Sequence, residues 1–532
     1  MTTLTESIQR RFSEYPPLLF ASDADTIKLE LKPYLQPFEK ILAQRELQAL
    51  MSKRERCVEV GGYWLLHSNR PEAVFRNNLT YWQRIGRSVL TPTAQKTVEL
   101  TQNGAEFTSL HRSRRLRYGP HDIHEYRGKF FPQLVRSLIT IAETSVDGVV
   151  LDPMAGSGTT PSEAIAFGRS ALAADLNPLS VLITTVKASI PKLTADVFEK
   201  SFSAWGTKGR FKAVEPSRIW DTYDLAYLRR WFDEEAISDL ARLRGAVEGV
   251  GSEFDRGFLQ VCLSNIVRSV SWQKETDLRV RKEVRTYEPG EAIERFNENL
   301  REQMERIHAY LSVLPKNGQT PVLSVREGNS VYIDRLFAEY RGRVDVVITS
   351  PPYATALPYL DTDRLSLIVL GLLARNEHKE RETDMIGTRE VTERERLLHW
   401  QRFEGRKHEL PVAVVKLIAQ IASHYHAESD DIGFRRRNLP ALLGKYFLDM
   451  LDAMRSARLM MRRDGKGYYV VGNNSTKIHG ERVEIATDEF LFAIGEAAGW
   501  KQEEVIDMEL LPSRDIFRDN RGSKEVILCF KA

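Results

Sequence analysis

The chain contains 532 residues, of which 42% are hydrophobic and 28% are charged. This composition is typical of globular proteins and excludes a disordered, collagen-like or low-complexity chain. The 76 basic and 73 acidic residues leave a formal net charge of +3, which is too balanced to indicate a polyanion partner by itself. At roughly 150 residues per domain, the length predicts about three to four domain-sized units.

The three cysteines, Cys57, Cys262 and Cys529, are far apart in the sequence. Their spacing predicts neither a disulfide framework nor a zinc site. The N-terminal segment is polar and lacks the basic start and apolar core of a secretory signal. No apolar run approaches the roughly 18–20 residues that a membrane span requires. We therefore expect a cytoplasmic protein with no membrane span and no bound metal.

The N-terminal region, residues 1–118, mixes helical patterns with polar loops and contains no motif of known role. The pattern changes at Val146–Asp152, a short apolar run ending in an acid, which predicts a buried strand. A glycine-rich turn, a helix over Pro161–Gly168 and a second strand over Ser170–Asp175 follow. Proline in the first turn of a helix and glycine at its end support these bounds. Strand, turn, helix and strand together predict a βαβ unit.

Two long insertions interrupt the strand pattern further along the chain. Residues 191–318 are amphipathic and predicted to be helical, and residues 373–438 are strongly charged. Around these insertions the sequence predicts more strands and helices, namely strands over Pro321–Val325, Val344–Thr349, Gly467–Gly472, Glu503–Glu509 and Glu525–Phe530 and helices over Leu439–Arg463 and Thr487–Ala498. Strands separated by helices predict a doubly wound α/β sheet.

Small residues follow the first predicted strand, in the stretch Asp152–Thr160. Ala155, Gly156 and Gly158 allow the backbone to approach a ligand where a strand ends and a helix begins. No lysine follows Gly158, so a triphosphate-binding loop is not predicted. Asp175 ends the next strand, where a carboxylate can accept both hydroxyls of a ribose. The stretch therefore favours an adenosine-bearing cofactor, although the glycines alone fit a tight turn beside a surface acid equally well.

A second chemical signal, Thr349–Tyr353, follows another predicted strand of the same sheet. Two prolines fix the backbone of this segment, where an α/β sheet presents its ligands. Ser350 supplies a hydroxyl, the carbonyl of Pro351 supplies an acceptor, and Tyr353 supplies a flat face for stacking. A strand-ending turn with a packed tyrosine is the alternative reading, and it explains this combination of residues less well.

Together these stretches resemble the amino-methylating DNA methyltransferases, which use S-adenosylmethionine. Asp152–Thr160 is similar to the family's cofactor motif Asp-Pro-Phe-x-Gly-Ser-Gly-Thr, with Met154 in place of phenylalanine. Ser350–Tyr353 is similar to the catalytic tetrapeptide, in which Asp, Asn or Ser precedes Pro-Pro and an aromatic residue. The serine form is typical of the cytosine-N4 branch. His124–Pro132 and Asp175–Pro178 also resemble family segments, and the resemblance covers roughly residues 120–190 and 320–532.

The resemblance implies a Rossmann-like class I methyltransferase sheet with helical insertions. The catalytic domain would comprise residues 119–190, 319–372 and 439–532, with 191–318 as a helical insertion and 373–438 as a candidate target-recognition region. The implied cofactor-binding residues are Phe130, Phe131, Asp152, Pro153, Ala155, Gly156, Ser157, Gly158, Thr159, Thr160, Asp175, Asn177, Asn329 and Ser330. The implied catalytic residues are Ser350, Pro351, Pro352 and Tyr353.

The chemistry of amine methylation accounts for these residue types. The exocyclic amine of cytosine is a weak nucleophile because its lone pair is delocalised into the ring. Hydrogen bonds from its two protons, one to Ser350 Oγ and one to the Pro351 carbonyl, would favour a pyramidal nitrogen aimed at the methyl donor. The base must leave the duplex to reach the site, and Tyr353 would stack on it. Asn329 stands where the family often has an acid near the adenine amine, and its amide oxygen could accept that hydrogen bond.

The predicted function is methyl transfer from S-adenosylmethionine to cytosine N4 at a specific site in duplex DNA. The expected partners are double-stranded DNA and either a cognate restriction endonuclease or subunits of a phage-defence system. Adenine N6 is the nearest alternative, because the cofactor motif precedes the catalytic motif, the reverse of the order common in the cytosine-N4 branch. An RNA methyltransferase and a non-catalytic DNA-binding subunit are further alternatives. The basic runs His111–Arg117 and Arg435–Arg437 could contact phosphates or could be solvated faces.

Overall fold

The fold is described from a computed structural model. The residues that it describes are 26–32, 35–86, 118–126, 131–203, 205, 211–274, 281–314, 318, 320–354, 359–389, 391–427, 434–478, 481–508 and 525–532.

A seven-stranded sheet forms the centre of the described structure. The strands of the described residues are, in chain order, β1 (Thr26–Leu31), β2 (Arg56–Val60), β3 (Tyr63–His67), β4 (Trp82–Ile85), β5 (Val149–Asp152), β6 (Ser170–Asp175), β7 (Leu323–Glu327), β8 (Val344–Thr349), β9 (Met461–Gly472), β10 (Asn474–Ile478), β11 (Glu481–Ile485), β12 (Lys501–Met508) and β13 (Glu525–Lys531). The central sheet has the order β12-β13-β9-β8-β5-β6-β7. Its strands pair in parallel from β9 to β7, and β13 runs antiparallel to both β9 and β12.

Helices connect these strands and cover the sheet. The α-helices of the described residues are α1 (Pro37–Leu50), α2 (Glu72–Arg76), α3 (Pro132–Ile141), α4 (Thr159–Ala166), α5 (Pro178–Ser189), α6 (Ala195–Phe202), α7 (Thr222–Leu228), α8 (Glu234–Glu248), α9 (Glu253–Val267), α10 (Glu291–Val313), α11 (Ile333–Leu336), α12 (Tyr359–Val369), α13 (His378–Asp384), α14 (Glu393–Arg406), α15 (Val412–Ala427), α16 (Phe434–Met460) and α17 (Thr487–Ala497).

The predicted Rossmann-like α/β class is confirmed by this strand order. The chain begins the sheet at β5, adds β6 and β7 on one side, and then returns to place β8 and β9 on the other side. The order therefore reverses between β5 and β8, which makes the carboxyl ends of these strands the expected place for a ligand. The predicted strands over Ser170–Asp175 and Val344–Thr349 have the observed bounds of β6 and β8.

The central strands are buried on both faces, as parallel strands between helices should be. All six residues of β8 are buried. Because successive side chains of a strand point to opposite faces, Val346 and Ile348 pack into one core and Val347 into another. The core containing Val347 includes helices α14 to α17, which lie over that face.

The N-terminal region covers the opposite face of the central sheet. It forms an antiparallel sheet of order β2-β3-β1-β4, which the sequence patterns did not predict. Buried side chains of this sheet and of α1, such as Leu29 and Leu42, share one core with Val150 of β5 and Ile527 of β13. Arg45 of α1 also forms an ion pair with Glu504 of β12.

The described residues between β6 and β7 include five helices in the insertion that was predicted to be helical, α6 to α10. Helices α6 to α10 pack together with α5 and α12 around a core that includes Phe198, Phe258 and Phe296. The predicted basic run His111–Arg117 lies outside the described residues, and Arg435–Arg437 falls in the first turn of α16. In the part of the chain that the structure describes, no helix combines the length and apolar character of a membrane span.

Candidate active site

A cavity of about 810 Å³ opens where β5, β6, β7 and β8 end. The turn after β5, the acid that ends β6, the turn after β7 and the loop after β8 all contribute to its wall. Because parallel strands present their carboxyl ends at one edge of the sheet, segments that are nearly 200 residues apart in the chain meet there. The cavity therefore lies at the reversal of strand order.

The turn after β5 depends on two glycines with left-handed backbone. Gly156 has φ +51° and Gly158 has φ +71°, a region that other residues rarely adopt. A Cβ on Gly158 would lie 2.8 Å from the Cα of Thr184 in α5. The amide of Gly158 donates to the carbonyl of Ala155 at 2.7 Å, and α4 begins at the next residue. The glycines bring the turn close to α5 and leave backbone facing the cavity.

The carboxylate of Asp175 is held by the backbone on both sides. Its Oδ2 accepts from the amide of Gly156 at 2.8 Å, and its Oδ1 accepts from the amide of Asn177 at 2.9 Å. Burial raises the pKa of Asp175, and the two amide donors oppose that rise by favouring the charged form. A carboxylate has about four acceptor positions, so each oxygen can still accept a ligand hydroxyl. Asn177 accepts from the amide of Leu179 and so caps α5.

Two buried hydrogen bonds join the turn after β5 to strand β8. Thr349 Oγ1 donates to Asp152 Oδ1 at 2.7 Å, and Thr160 Oγ1 donates to the carbonyl of Ile348 at 3.1 Å. Burial raises the pKa of Asp152 to about 7, while the hydrogen bonds from Thr349 and from the amide of Met154 favour the ionised form. Asp152 thus lies behind the cavity wall, where it holds the two loops together.

The loop after β8 contributes Ser350 and Pro352 to the cavity wall, and Pro351 is buried beneath them. Tyr353 is half-buried, and its hydroxyl donates to Glu525 Oε1 at 2.7 Å. Ser350 is therefore a lining residue of the cavity, whereas Tyr353 is not among its lining residues and bonds to the start of β13.

The structure brings most of the predicted site residues to one cavity. The predicted residues that line it are Pro153, Ala155, Gly156, Ser157, Thr159, Asp175, Asn177, Asn329, Ser330, Ser350 and Pro352. Others lie behind or beside the wall, namely Asp152, Gly158, Thr160, Pro351 and Tyr353. Phe131 packs against the core shared with the N-terminal sheet, and Phe130 lies outside the described residues. Their predicted contacts with a cofactor stay predictions.

Several lining residues were missed by the sequence analysis. Tyr126 lies against Gly156, since a Cβ on that glycine would be 3.1 Å from the tyrosine hydroxyl. The sequence could have identified Tyr126 as a candidate, because it belongs to the segment His124–Pro132 that resembles the methyltransferase family. Asp384, Met385 and Ile386 also line the cavity. They belong to the charged insertion 373–438, and no local pattern marks them.

The Asp384–Ile386 wall is tied to the rest of the site by two polar side chains. Asn329 Nδ2 donates to the carbonyl of Asp384 at 3.2 Å, and its Oδ1 accepts from the amide of Val331 at 3.0 Å. The predicted contact of Asn329 with an adenine amine would have to share that oxygen. Lys445 of α16, which is buried, donates to the carbonyl of Met385 at 2.8 Å.

Within the described ranges, no group of three or more His, Cys, Asp or Glu side chains is arranged to hold a metal ion. The residues that line the cavity present hydroxyl, carbonyl, carboxylate and backbone amide groups. These groups can orient a polar ligand and accept its protons.

Comparisons with known proteins give low but consistent similarity. No protein-family model matches the chain. The chain is 21% identical over 385 residues to the Type II methyltransferase M.MvaI of Kocuria varians, which covers 69% of this chain and 79% of that protein. It is 33% identical over 87 residues to the Type II methyltransferase M.MjaII of Methanocaldococcus jannaschii, or 15% of this chain and 16% of the other.

A third relative is the Type II methyltransferase M.BsoBI of Geobacillus stearothermophilus, at 22% identity over 284 residues, or 49% of this chain and 54% of that protein. Among solved structures, the rRNA methyltransferase AviRa of Streptomyces viridochromogenes aligns with 76% of this chain and 88% of its own, at 11% identity and a TM-score of 0.25. A TM-score this low carries no weight for fold or function. The sequence matches show that this chain is similar, at low identity, to Type II methyltransferases.

Proposed function

We propose that this protein is a site-specific DNA methyltransferase that transfers the methyl group of S-adenosylmethionine to N4 of cytosine in duplex DNA. The observation that carries the proposal is the meeting of Ser350 with the glycine turn and Asp175 around one cavity. These residues come from three strand ends. The similarity to Type II methyltransferases supports methyl transfer as the reaction.

The residues of the cavity fit S-adenosylmethionine. The cavity's wall combines hydroxyl, carboxylate and amide groups with apolar side chains, as small-molecule sites commonly do. The left-handed Gly156 leaves backbone rather than a side chain at the turn after β5, which suits a closely held ligand. Asp175 retains acceptor capacity for ribose hydroxyls. When bound, S-adenosylmethionine supplies an electrophilic methyl group on its sulfonium.

The order of the strand ends indicates how such a ligand would lie. Asn329 and Ser330 follow β7 on one side of Asp175, and Ser350 follows β8 on the other side. With the ribose at Asp175, the base of the cofactor would face Asn329. The reactive end would then face Ser350, beside the turn that contains Gly156.

The protein's own groups can prepare the target amine. Ser350 Oγ and the Pro351 carbonyl would each accept a hydrogen bond from one N–H of the amine, which favours a pyramidal nitrogen with its lone pair free to attack. Tyr353 would stack on the base and hold its ring edge toward Ser350. As the N–CH3 bond forms and the S–CH3 bond breaks, S-adenosylhomocysteine leaves and positive charge develops on the nitrogen, where the two oxygen acceptors stabilise it. Loss of one amine proton to water then gives the neutral methylated base. The site acts by positioning and by charge stabilisation, without a covalent intermediate.

A base inside a duplex cannot reach this cavity, so the target nucleotide would leave the stack. Serine at position 350, rather than Asp or Asn, favours cytosine N4 over adenine N6. The Type II relatives suggest a cognate restriction endonuclease as the functional partner. The role of residues 373–438 in reading the DNA sequence is part of this proposal.

Nucleoside mass spectrometry tests the target base. Purified protein is incubated with S-adenosylmethionine carrying a labelled methyl group and with duplex DNA, single-stranded DNA or tRNA. We expect label in N4-methylcytosine from duplex DNA. Label in N6-methyladenine alone would overturn the assigned base, and label in tRNA without label in DNA would overturn the substrate.

Three variants test the assigned roles. Ser350→Ala and Tyr353→Ala should lose most turnover while the affinity for S-adenosylhomocysteine stays near that of the wild type. Asp175→Ala should weaken that affinity. The matched control is Ser312→Ala, because this serine is exposed on α10 and its hydroxyl donates to the carbonyl of His308 in the same helix. Wild-type turnover in both of the first two variants would contradict the mechanism.

A further inference from the structure

The ring of Tyr353 is held by residues that no motif in the sequence identifies. Its hydroxyl donates to Glu525 Oε1 at 2.7 Å, although the two residues are separated by 172 positions in the chain. Glu525 is the first residue of β13, and both side chains are half-buried. A hydrogen bond to a carboxylate is stronger than one between neutral groups. The bond therefore restricts where the ring can point.

Gly472 lies against the hydroxyl end of the same ring. It is the last residue of β9 and pairs with Glu525 in the sheet. A Cβ on Gly472 would lie 3.0 Å from Cζ of Tyr353 and 3.1 Å from its hydroxyl oxygen. Both distances are tighter than ordinary carbon contacts, so a larger residue would push the ring away. The end of β9 and the start of β13 thus contact the tyrosine side chain and limit where it can lie.

The backbone on either side of the ring is held as well. Asn474 Nδ2 donates to the carbonyl of Ala354 at 2.6 Å. Gly387, with φ +81°, lies so close that its Cβ would be 3.3 Å from the carbonyl oxygen of Tyr353. The loop is therefore fixed from β10 and from the charged insertion, while the ring is fixed by Glu525.

We infer that Glu525 and Gly472 are positioning residues that hold the Tyr353 ring as the stacking wall for the target base. This inference rests on the proposed function. An unrestrained tyrosine would lose rotamer freedom each time a base entered. A ring seated in advance avoids that loss and places the base edge next to Ser350. The ligand that this wall takes is a planar nucleobase extruded from DNA.

A double-mutant cycle tests the inference. Tyr353→Phe, Glu525→Ala and the double variant are compared for kcat and KM with a duplex oligonucleotide, alongside the dissociation constant for S-adenosylhomocysteine. Each single change should lower kcat/KM for DNA by about 10-fold, as expected for a hydrogen bond to a charged group. The double variant should be no worse than either single variant, because both changes remove the same bond. Cofactor affinity should not change.

Two further variants separate positioning from a general structural role. Glu525→Gln keeps an acceptor oxygen and should recover part of the loss. Gly472→Ala should displace the ring and change the fluorescence of 2-aminopurine placed at the target position, because stacking on tyrosine quenches it. Tyr223→Phe and Glu503→Ala are controls, since Tyr223 is 61% exposed and Glu503 pairs with Lys466 at the surface.

Additive losses in the cycle would overturn the inference, as would wild-type kcat/KM in Glu525→Ala. If the wild-type protein methylates DNA but the cycle is additive, only the inference fails. If the wild-type protein methylates no DNA, the proposed function fails and the inference fails with it. Should Gly472→Ala not fold, the cycle between Tyr353 and Glu525 still decides the question.

Discussion

Replacing Gly158 by alanine is expected to disrupt the cavity far more than replacing Gly156, although both glycines have left-handed backbone. The difference lies in what an added methyl group would meet. At Gly158 it would lie 2.7 Å from Oγ1 and 2.8 Å from Cα of Thr184, so α5 itself would have to move. At Gly156 it would lie 3.1 Å from atoms of the Tyr126 ring, which is a side chain that can shift.

The expected free-energy changes follow from these contacts. A left-handed alanine costs roughly 1–2 kcal/mol at either position. Overpacking against a helix backbone adds about 1–3 kcal/mol at Gly158. Gly158→Ala should therefore lower the free energy of unfolding by about 2–5 kcal/mol, and Gly156→Ala by about 1–2 kcal/mol. Because Gly156 lines the cavity and Gly158 does not, Gly156→Ala should still weaken cofactor binding.

Urea unfolding gives the two free energies, and calorimetric titration with S-adenosylhomocysteine gives the two affinities. Gly405→Ala is the matched control, because this glycine sits inside α14 and, beyond its chain neighbours and its own helix backbone, no atom of the described residues lies within 4 Å of a Cβ there. An equal loss of stability in Gly156→Ala and Gly158→Ala would refute the reasoning from backbone contact. So would a loss below about 1 kcal/mol for Gly158→Ala.

Two other changes test the supports of the cavity. Burial raises the pKa of Asp152 to about 7 in the folded protein, whereas its ordinary pKa of 3.8 applies in the unfolded chain. Between these pH values the folded state binds the proton more tightly than the unfolded state does. The free energy of unfolding should therefore fall as pH rises from about 4 to about 7. Asp152→Asn keeps the acceptor for Thr349 and should flatten that slope in urea unfolding at several pH values; an unchanged slope would contradict the assignment. Lys445→Met removes the donor to Met385 and one cation from buried Asp449. This variant should raise the dissociation constant for S-adenosylhomocysteine about 3–10-fold and lower the free energy of unfolding by roughly 1–3 kcal/mol. Equal dissociation constants for Lys445→Met and the exposed control Lys407→Met would refute the assigned role of Lys445.

Local sequence was enough to predict the elements that carry the cavity. Short apolar runs marked β6 and β8 with their observed bounds, because parallel strands buried on both faces need continuous apolar residues. The turn after β5 could also be predicted from its glycines, since only glycine readily adopts the left-handed backbone found at Gly156 and Gly158. These features depend on a few neighbouring residues, so composition and spacing reveal them.

Local sequence did not reveal strands that depend on distant partners. The N-terminal sheet β1–β4 has short strands with partly exposed residues, and its pairing decides its structure. Strand β9 begins at Met461 rather than at Gly467, because Met461 pairs with Val344 of β8 and Lys466 pairs with β8 and β13. The strand preference of such a segment depends on the neighbours that pack against it, so it is not decided by the segment alone.

The contacts that complete the site were decided only by the tertiary structure. Asp384–Ile386 reach the cavity because Lys445 and Asn329 hold that segment across the strand ends. Tyr353 meets Glu525 because β13 inserts beside β9 in the sheet order. The chemical groups of a loop can be read from its own residues. The residues that face the loop across the cavity come from distant parts of the chain. They are brought there by the burial of apolar surface, which does not depend on separation in the sequence.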